Sequence, residues 1–114
     1  MNVSQRDVWW ADIDEPIGSA AGFTRPVVII QGDALNASRM TTYLSIPLST
    51  NLQRANLATN LLLRAADTGL PRDSVAQVGL LYVVDASQLI EHAGQISSRE
   101  LERLFAKLDL ALGR

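Results

Sequence analysis

Apolar positions gather into short runs over the first two thirds of the chain and into a helical stripe at its end. Residues 8–13 and 26–31 are rich in β-branched and aromatic side chains and are bounded by Pro, Gly and Asp, a combination that predicts strands. Residues 41–48 read as a third strand, with imperfect alternation through Tyr43-Leu44-Ser45-Ile46. Residues 57–64 and 75–84 supply two more, separated by the turn-forming Asp67-Thr68-Gly69-Leu70-Pro71-Arg72-Asp73. Short strands at this spacing predict a compact, strongly curved sheet or barrel. The last segment changes period. Ser97 followed three residues later by Glu100 has the spacing of a capping box, and Leu101, Leu104, Phe105, Leu108 and Leu112 fall on one helical face that Gly113 ends. A shorter helical turn is expected over residues 87–92, ended by Gly94.

Length and composition narrow the class. At 114 residues the chain reads as one domain spanning 1–114, and 47% hydrophobic against 19% charged residues places it among globular rather than disordered chains. There is no cysteine, which excludes disulfides and thiolate metal sites. The N-terminus has no basic head leading into an apolar run, and no apolar stretch reaches the roughly 18 residues that cross a bilayer, so a cytoplasmic protein with no membrane association is expected. The formal net charge is −2 and residues 65–114 carry five basic against seven acidic groups, so any nucleic acid must be held by a local groove rather than by the overall field. Arg25, with Arg39 or Arg54, is the candidate lining of such a groove.

Arg25 stands between the glycine-punctuated Gly18-Ser19-Ala20-Ala21-Gly22 and the apolar run that begins at Pro26. A guanidinium fixed at a strand mouth is an anion site, since it keeps its charge and its planar fork matches phosphate oxygens; a solvated flanking charge is the alternative. His92 is the only histidine, so a two-histidine ribonuclease mechanism is excluded and a surface or packing role is expected. Asp12, Asp14 and Glu15 imitate a carboxylate cluster but have no His or Cys beside them and read as solvated turn acids. Trp9 and Trp10 are adjacent in a strand and point to opposite faces, so one belongs to the core while the other is partly covered or stacks on a base.

The ordered motifs resemble the MazF/PemK toxin family, small ribosome-independent endoribonucleases of toxin–antitoxin systems. Arg6-Asp7-Val8-Trp9-Trp10-Ala11-Asp12 resembles the family's opening strand, and Gly18-Ser19 with Arg25-Pro26-Val27-Val28 its G-S-E-x-x-G-x-R-P-V signature. Ile30-Gln31-Gly32-Asp33-Ala34-Leu35-Asn36 is similar to the following block, Ile46-Pro47-Leu48-Ser49-Thr50 to A-P-[IL]-T-S, Gly69-Leu70-Pro71-Arg72-Asp73-Ser74-Val75 to G-L-x-x-D-S-V, and Val84-Asp85-Ala86-Ser87-Gln88-Leu89 to I-D-x-x-R-L. Two departures stand out. Ala20 replaces the glutamate of G-S-E, and Gly79-Leu80 replaces a polar pair.

The resemblance implies an α+β, mainly β fold: a small SH3-like barrel of the CcdB/MazF plasmid-maintenance type with a C-terminal helix, forming a homodimer. It implies metal-independent cleavage of single-stranded RNA, in which a ribose 2′-hydroxyl attacks its own 3′ phosphate to leave a 2′,3′-cyclic phosphate and a 5′-hydroxyl, with no cofactor and no metal. Arg25 stands at the family's catalytic arginine. Ser49 stands at its catalytic threonine, with Thr50 one residue away as the alternative hydroxyl. Ser19, Gln31, Asn36, Ser38 and Thr50 are the implied RNA-binding residues. A MazE-like antitoxin whose acidic segment folds into the groove is the implied partner. Two other functions remain: a CcdB-like gyrase binder, which would call for a terminal Trp-Gly-Ile where this chain has Leu112-Gly113-Arg114, and a catalytically weakened antitoxin-binding scaffold.

Overall fold

The computed structural model describes residues 2–13 and 24–114. In chain order the elements are β1 (Asp7–Asp12), β2 (Thr24–Ile29), α1 (Asp33–Asn36), β3 (Thr42–Ser49), β4 (Leu61–Leu63), α2 (Ala65–Thr68), β5 (Ser74–Ala76), β6 (Tyr82–Asp85), β7 (Leu89–Gln95) and α3 (Ser98–Leu112), with 3-10 turns at Leu52–Asn56, Val78–Leu80 and Ala86–Gln88. All strand pairings are antiparallel, in the order β4-β5-β3-β2-β1-β7. β3 is shared: its first half pairs with β6 (Thr42 opposite Asp85) and its end with β5 (Ser49 opposite Val75).

The central strands are buried on both faces, which is why residues 27–30 read as an unbroken apolar run rather than an alternation. Val28 and Ile30 join Val8, Ile46, Leu48, Leu63, Ile96, Leu101 and Leu104 in one core, so α3 closes that face. Val27 and Ile29 join Trp9, Ala11, Ile13, Tyr43, Val84 and Leu89 in a second core on the other face. Arg6 fastens the chain ahead of β1. Its backbone lies in the left-handed region (φ 79°), its N–H donates to Ile29 O at 2.8 Å, its carbonyl accepts from Ile96 N at 2.9 Å, and its Nη1 donates to Ile96 O at 3.0 Å. Those bonds offset the conformational cost of a non-glycine residue there.

Several expectations need correction. The strand expected over residues 75–84 is two strands, because the backbone turns at Gln77, whose N–H donates to Pro47 O at 3.0 Å before the turn Val78–Leu80. The strand expected over 57–64 narrows to Leu61–Leu63. Residues 87–92 are not helical beyond the turn Ala86–Gln88; they enter β7, held by β1 through a register with two irregularities. Gly94 lies inside this strand, against the end of α2: a Cβ on it would run into the carbonyl oxygen of Thr68, and one on Gly69 (φ 81°) into that of Ala93. At α3, Ser97 Oγ accepts from Glu100 N at 3.1 Å, while the Glu100 carboxylate takes Arg103 Nη1 at 3.0 Å instead of closing the box. Gly113 (φ 75°) caps the other end, and Leu112 is exposed rather than packed.

Candidate active site

Arg25 sits one residue into β2, paired with Ala11 of β1. On its other side the β2–β3 ladder ends at Val27 opposite Pro47. Pro26 lies on the β3 side of β2, as Ile30 does through its N–H to Leu44 O, and brings no backbone N–H to this ladder, so the sequence itself ends the pairing there. Continued two residues, the same register would set Arg25 level with Ser49. A cleft of about 360 Å³ opens here, lined by Thr24, Arg25 and Pro26 from β2, Trp10 from β1, Leu48 and Thr50 from the end of β3, and Leu70, Pro71, Arg72 and Ser74 from the segment entering β5. That volume lies at the lower end of the roughly 300–1,000 Å³ typical of small-molecule sites. The floor is apolar and aromatic, and the rim carries two guanidinium groups and hydroxyls.

Ser49 is half-buried beside this cleft, and its Oγ accepts from Asn51 N at 3.1 Å. That bond fixes the oxygen and leaves the hydroxyl proton available to donate. Asn51 in turn caps the turn Leu52–Asn56 through Gln53 N at 3.2 Å, so the hydroxyl-bearing end of β3 is held by local capping chemistry. Thr50 is exposed in the cleft wall.

The remaining implied binding residues lie elsewhere. Gln31 is six residues beyond Arg25, about 20 Å away along an extended strand. It is buried, its Nε2 donates to Asn36 Oδ1 at 2.9 Å and to Thr42 O at 3.0 Å, and its Oε1 accepts from Leu44 N at 3.2 Å. Asn36 Nδ2 returns a bond to Gln31 O at 2.9 Å and another to Asp33 Oδ1 at 3.2 Å. The Asp33 carboxyl is held below its ordinary range by the Gln5 N–H and then by Asn36. Ser38 Oγ donates to Leu35 O and accepts from Met40 N at 3.2 Å. These three side chains fasten the α1 loop, and none lines the cleft. Ser19, Asp14 and Glu15 lie outside the described residues, and Asp12 is exposed at the end of β1.

Of the arginines paired with Arg25 on sequence grounds, neither shares its cleft. Arg54 donates through Nη1 to Gln77 Oε1 at 2.9 Å and lines a separate cavity with Leu57, Asn60 and Gly79. Arg39 is exposed in the loop before β3. The second guanidinium is Arg72, which the sequence reading absorbed into a turn. Its signal was its place in a motif block directly before Asp73-Ser74-Val75. The tryptophans sort cleanly: Trp9 is buried with Nε1 donating to Asp7 Oδ2 at 3.2 Å, and Trp10 borders the cleft. His92 packs its ring edgewise on Trp9 (centroids 5.3 Å apart) with Nε2 3.3 Å from Asp7 Oδ1, on β7 and away from the cleft lining. No described helix is long and apolar enough to cross a membrane.

This architecture and motif order define a toxin of the plasmid-maintenance type. The family model "PemK-like, MazF-like toxin of type II toxin-antitoxin system" matches residues 4–112, and the chain belongs to that family. It is 35% identical over 96 residues to endoribonuclease MazF6 of Mycobacterium tuberculosis, covering 84% of each chain, and 28% identical over 112 residues to endoribonuclease EndoA of Bacillus subtilis, covering 98% and 96%. Among solved structures it shares its fold with MazF of Deinococcus radiodurans (TM-score 0.81, 16% identity, 100% and 99% covered) and with a MazE–MazF complex from the same organism (TM-score 0.78, 17% identity, 99% and 97% covered).

Proposed function

We propose that this chain, over residues 1–114, is a toxin domain that cleaves single-stranded RNA and is neutralised by a cognate antitoxin. The observation that carries the reading is the cleft at the end of the β2–β3 ladder, where Arg25 and Thr50 share one lining with Ser49 beside them. The names of the similar toxins and the toxin–antitoxin complexes of the same fold support it. The chemistry is attack by the substrate's own 2′-hydroxyl on the adjacent phosphate, so the protein has no nucleophile to supply. It must stabilise charge on the phosphorane oxygens and move protons. Arg25 is the stabiliser: its fork binds two phosphoryl oxygens more tightly as their charge grows. Ser49 donates its proton to one of them, with its oxygen held by the Asn51 amide. Thr50 contacts the RNA from the cleft wall. The working unit is a homodimer acting in the cytoplasm, without a metal or other cofactor.

Incubation of the purified protein with a long single-stranded RNA in EDTA tests this reading. Undiminished cleavage is expected, with fragments ending in 2′,3′-cyclic phosphate and 5′-hydroxyl. Cleavage lost on chelation and restored by a divalent ion would overturn the metal-free mechanism, and intact RNA would leave an antitoxin-binding scaffold.

The hydroxyls separate by mutation. Ser49→Ala should slow single-turnover cleavage by about 10²-fold, the scale of one lost oxyanion donor, while Ser49→Thr retains activity. Thr50→Ala should act mainly on affinity. A silent Ser49→Ala beside a damaging Thr50→Ala would transfer the role to Thr50.

A further inference from the structure

We infer that Arg72 is a second phosphate clamp, holding the RNA phosphate next to the scissile one while Arg25 takes the scissile phosphate itself. The inference rests on the nuclease reading above and extends it to a residue acting on affinity rather than on the chemical step. Arg72 lines the same cleft as Arg25 but comes from a different part of the chain, the segment that enters β5 rather than the mouth of β2. Two guanidinium groups on one cleft of nucleotide size meet two charges of a polyanion better than one, and no single phosphate needs both forks.

The segment that carries Arg72 is anchored on either side of it. Leu70 is buried and its N–H donates to Thr68 Oγ1 at 3.1 Å; Pro71 restricts the backbone; Asp73 Oδ1 accepts from Ala65 N at 2.8 Å; Ser74 is buried at the start of β5. The acidic side chains close in sequence are engaged elsewhere, Asp73 on the Ala65 amide and Asp67 on Arg64 at 3.4 Å. The Arg72 side chain is exposed and, among the described residues, makes no hydrogen bond or ion pair. Among the described residues no partner holds its fork, in contrast to Arg54, which is tied to Gln77.

The test begins by mapping one cut in a long RNA. An oligoribonucleotide spanning that cut is then made with 2′-deoxyribose at the scissile position, for binding without cleavage, and as all-ribose RNA for rates. Arg72→Ala should weaken binding about 5-fold at 0.1 M salt, and the slope of log affinity against log salt should fall by about 0.7, the value of one single-strand phosphate contact. The saturating single-turnover rate should stay within about 3-fold of the parent, on the rule that uniform binding leaves the chemical step alone. Arg72→Lys should keep most of the salt slope, and both variants should melt with the parent. A neutral methylphosphonate placed at one phosphate flanking the cut should cost the parent the same 5-fold and cost Arg72→Ala nothing more.

An unchanged affinity and slope in Arg72→Ala would overturn the clamp while leaving the nuclease reading intact, as would losses from the variant and the methylphosphonate that simply multiply. A parent chain that does not cleave RNA would strike the nuclease reading, and the clamp with it.

Discussion

Arg25→Lys should slow single-turnover RNA cleavage by about 10²-fold, equivalent to about 2.7 kcal/mol of transition-state stabilisation, with RNA affinity changed much less. Lysine keeps the charge but replaces a planar fork by a point donor, so it meets one phosphoryl oxygen where arginine meets two. Arg25→Ala removes the charge as well and should fall further. Both proteins should remain folded, because the side chain lies at the rim of a cleft and neither core cluster contains it. A solvated flanking arginine would contribute at most about 1 kcal/mol to anything and its lysine variant would be silent. Single-turnover rates, RNA affinity and thermal melting of the two variants beside the parent decide the matter. Near-parental cleavage by the lysine variant would remove the two-oxygen role, and near-parental cleavage by the alanine variant would remove Arg25 from the site.

Gly94→Ala should be a severely damaging small change to the fold, costing about 3 kcal/mol and lowering the melting temperature by about 10 °C or more. The added methyl would meet the carbonyl oxygen of Thr68, a backbone atom of a buried residue, so no rotamer change can relieve the contact. Either β7 moves off α2 or α2 shifts toward the cleft. The second course matters for function, since Thr68 and Gly69 lead directly into Leu70, Pro71 and Arg72 of the cleft wall. Gly94→Ala should therefore weaken RNA binding more than its loss of stability alone accounts for. Gly79→Ala is the control: its Cβ would meet nothing within 4 Å, and its melting should lie within about 0.5 kcal/mol of the parent. Equal melting of the Gly94 and Gly79 variants would refute the close approach of α2 to β7.

Much of the site was legible because local rules write it. The apolar run at residues 27–30 announced a strand, Arg25 announced a charge at its mouth, and Pro26 ends the neighbouring ladder by lacking an N–H. The Ser97 cap and the Leu101–Leu104 stripe gave α3 for the same reason: cap and stripe depend on residues only three or four positions apart. The implied binding roles of Gln31, Asn36 and Ser38 illustrate the opposite case. A polar side chain in a loop has the same letter whether it faces a ligand or ties its own backbone, and only folding showed these three engaged with the α1 loop and β3.

β7 escaped the sequence because Glu91, His92, Ala93 and Gly94 are poor strand formers without alternation. They are extended because β1 supplies partners for them across a register with two irregularities. The sequence by itself thus determined the apolar strands, the terminal helix, the motif order and the arginine at the strand mouth, each a matter of short-range pattern. The tertiary structure alone decided which tryptophan entered the core, that residues 89–95 pair with β1, and that Arg72 shares a cleft with Arg25. The reason is physical: these outcomes depend on antiparallel registers joining residues tens of positions apart, and no local propensity encodes such a register.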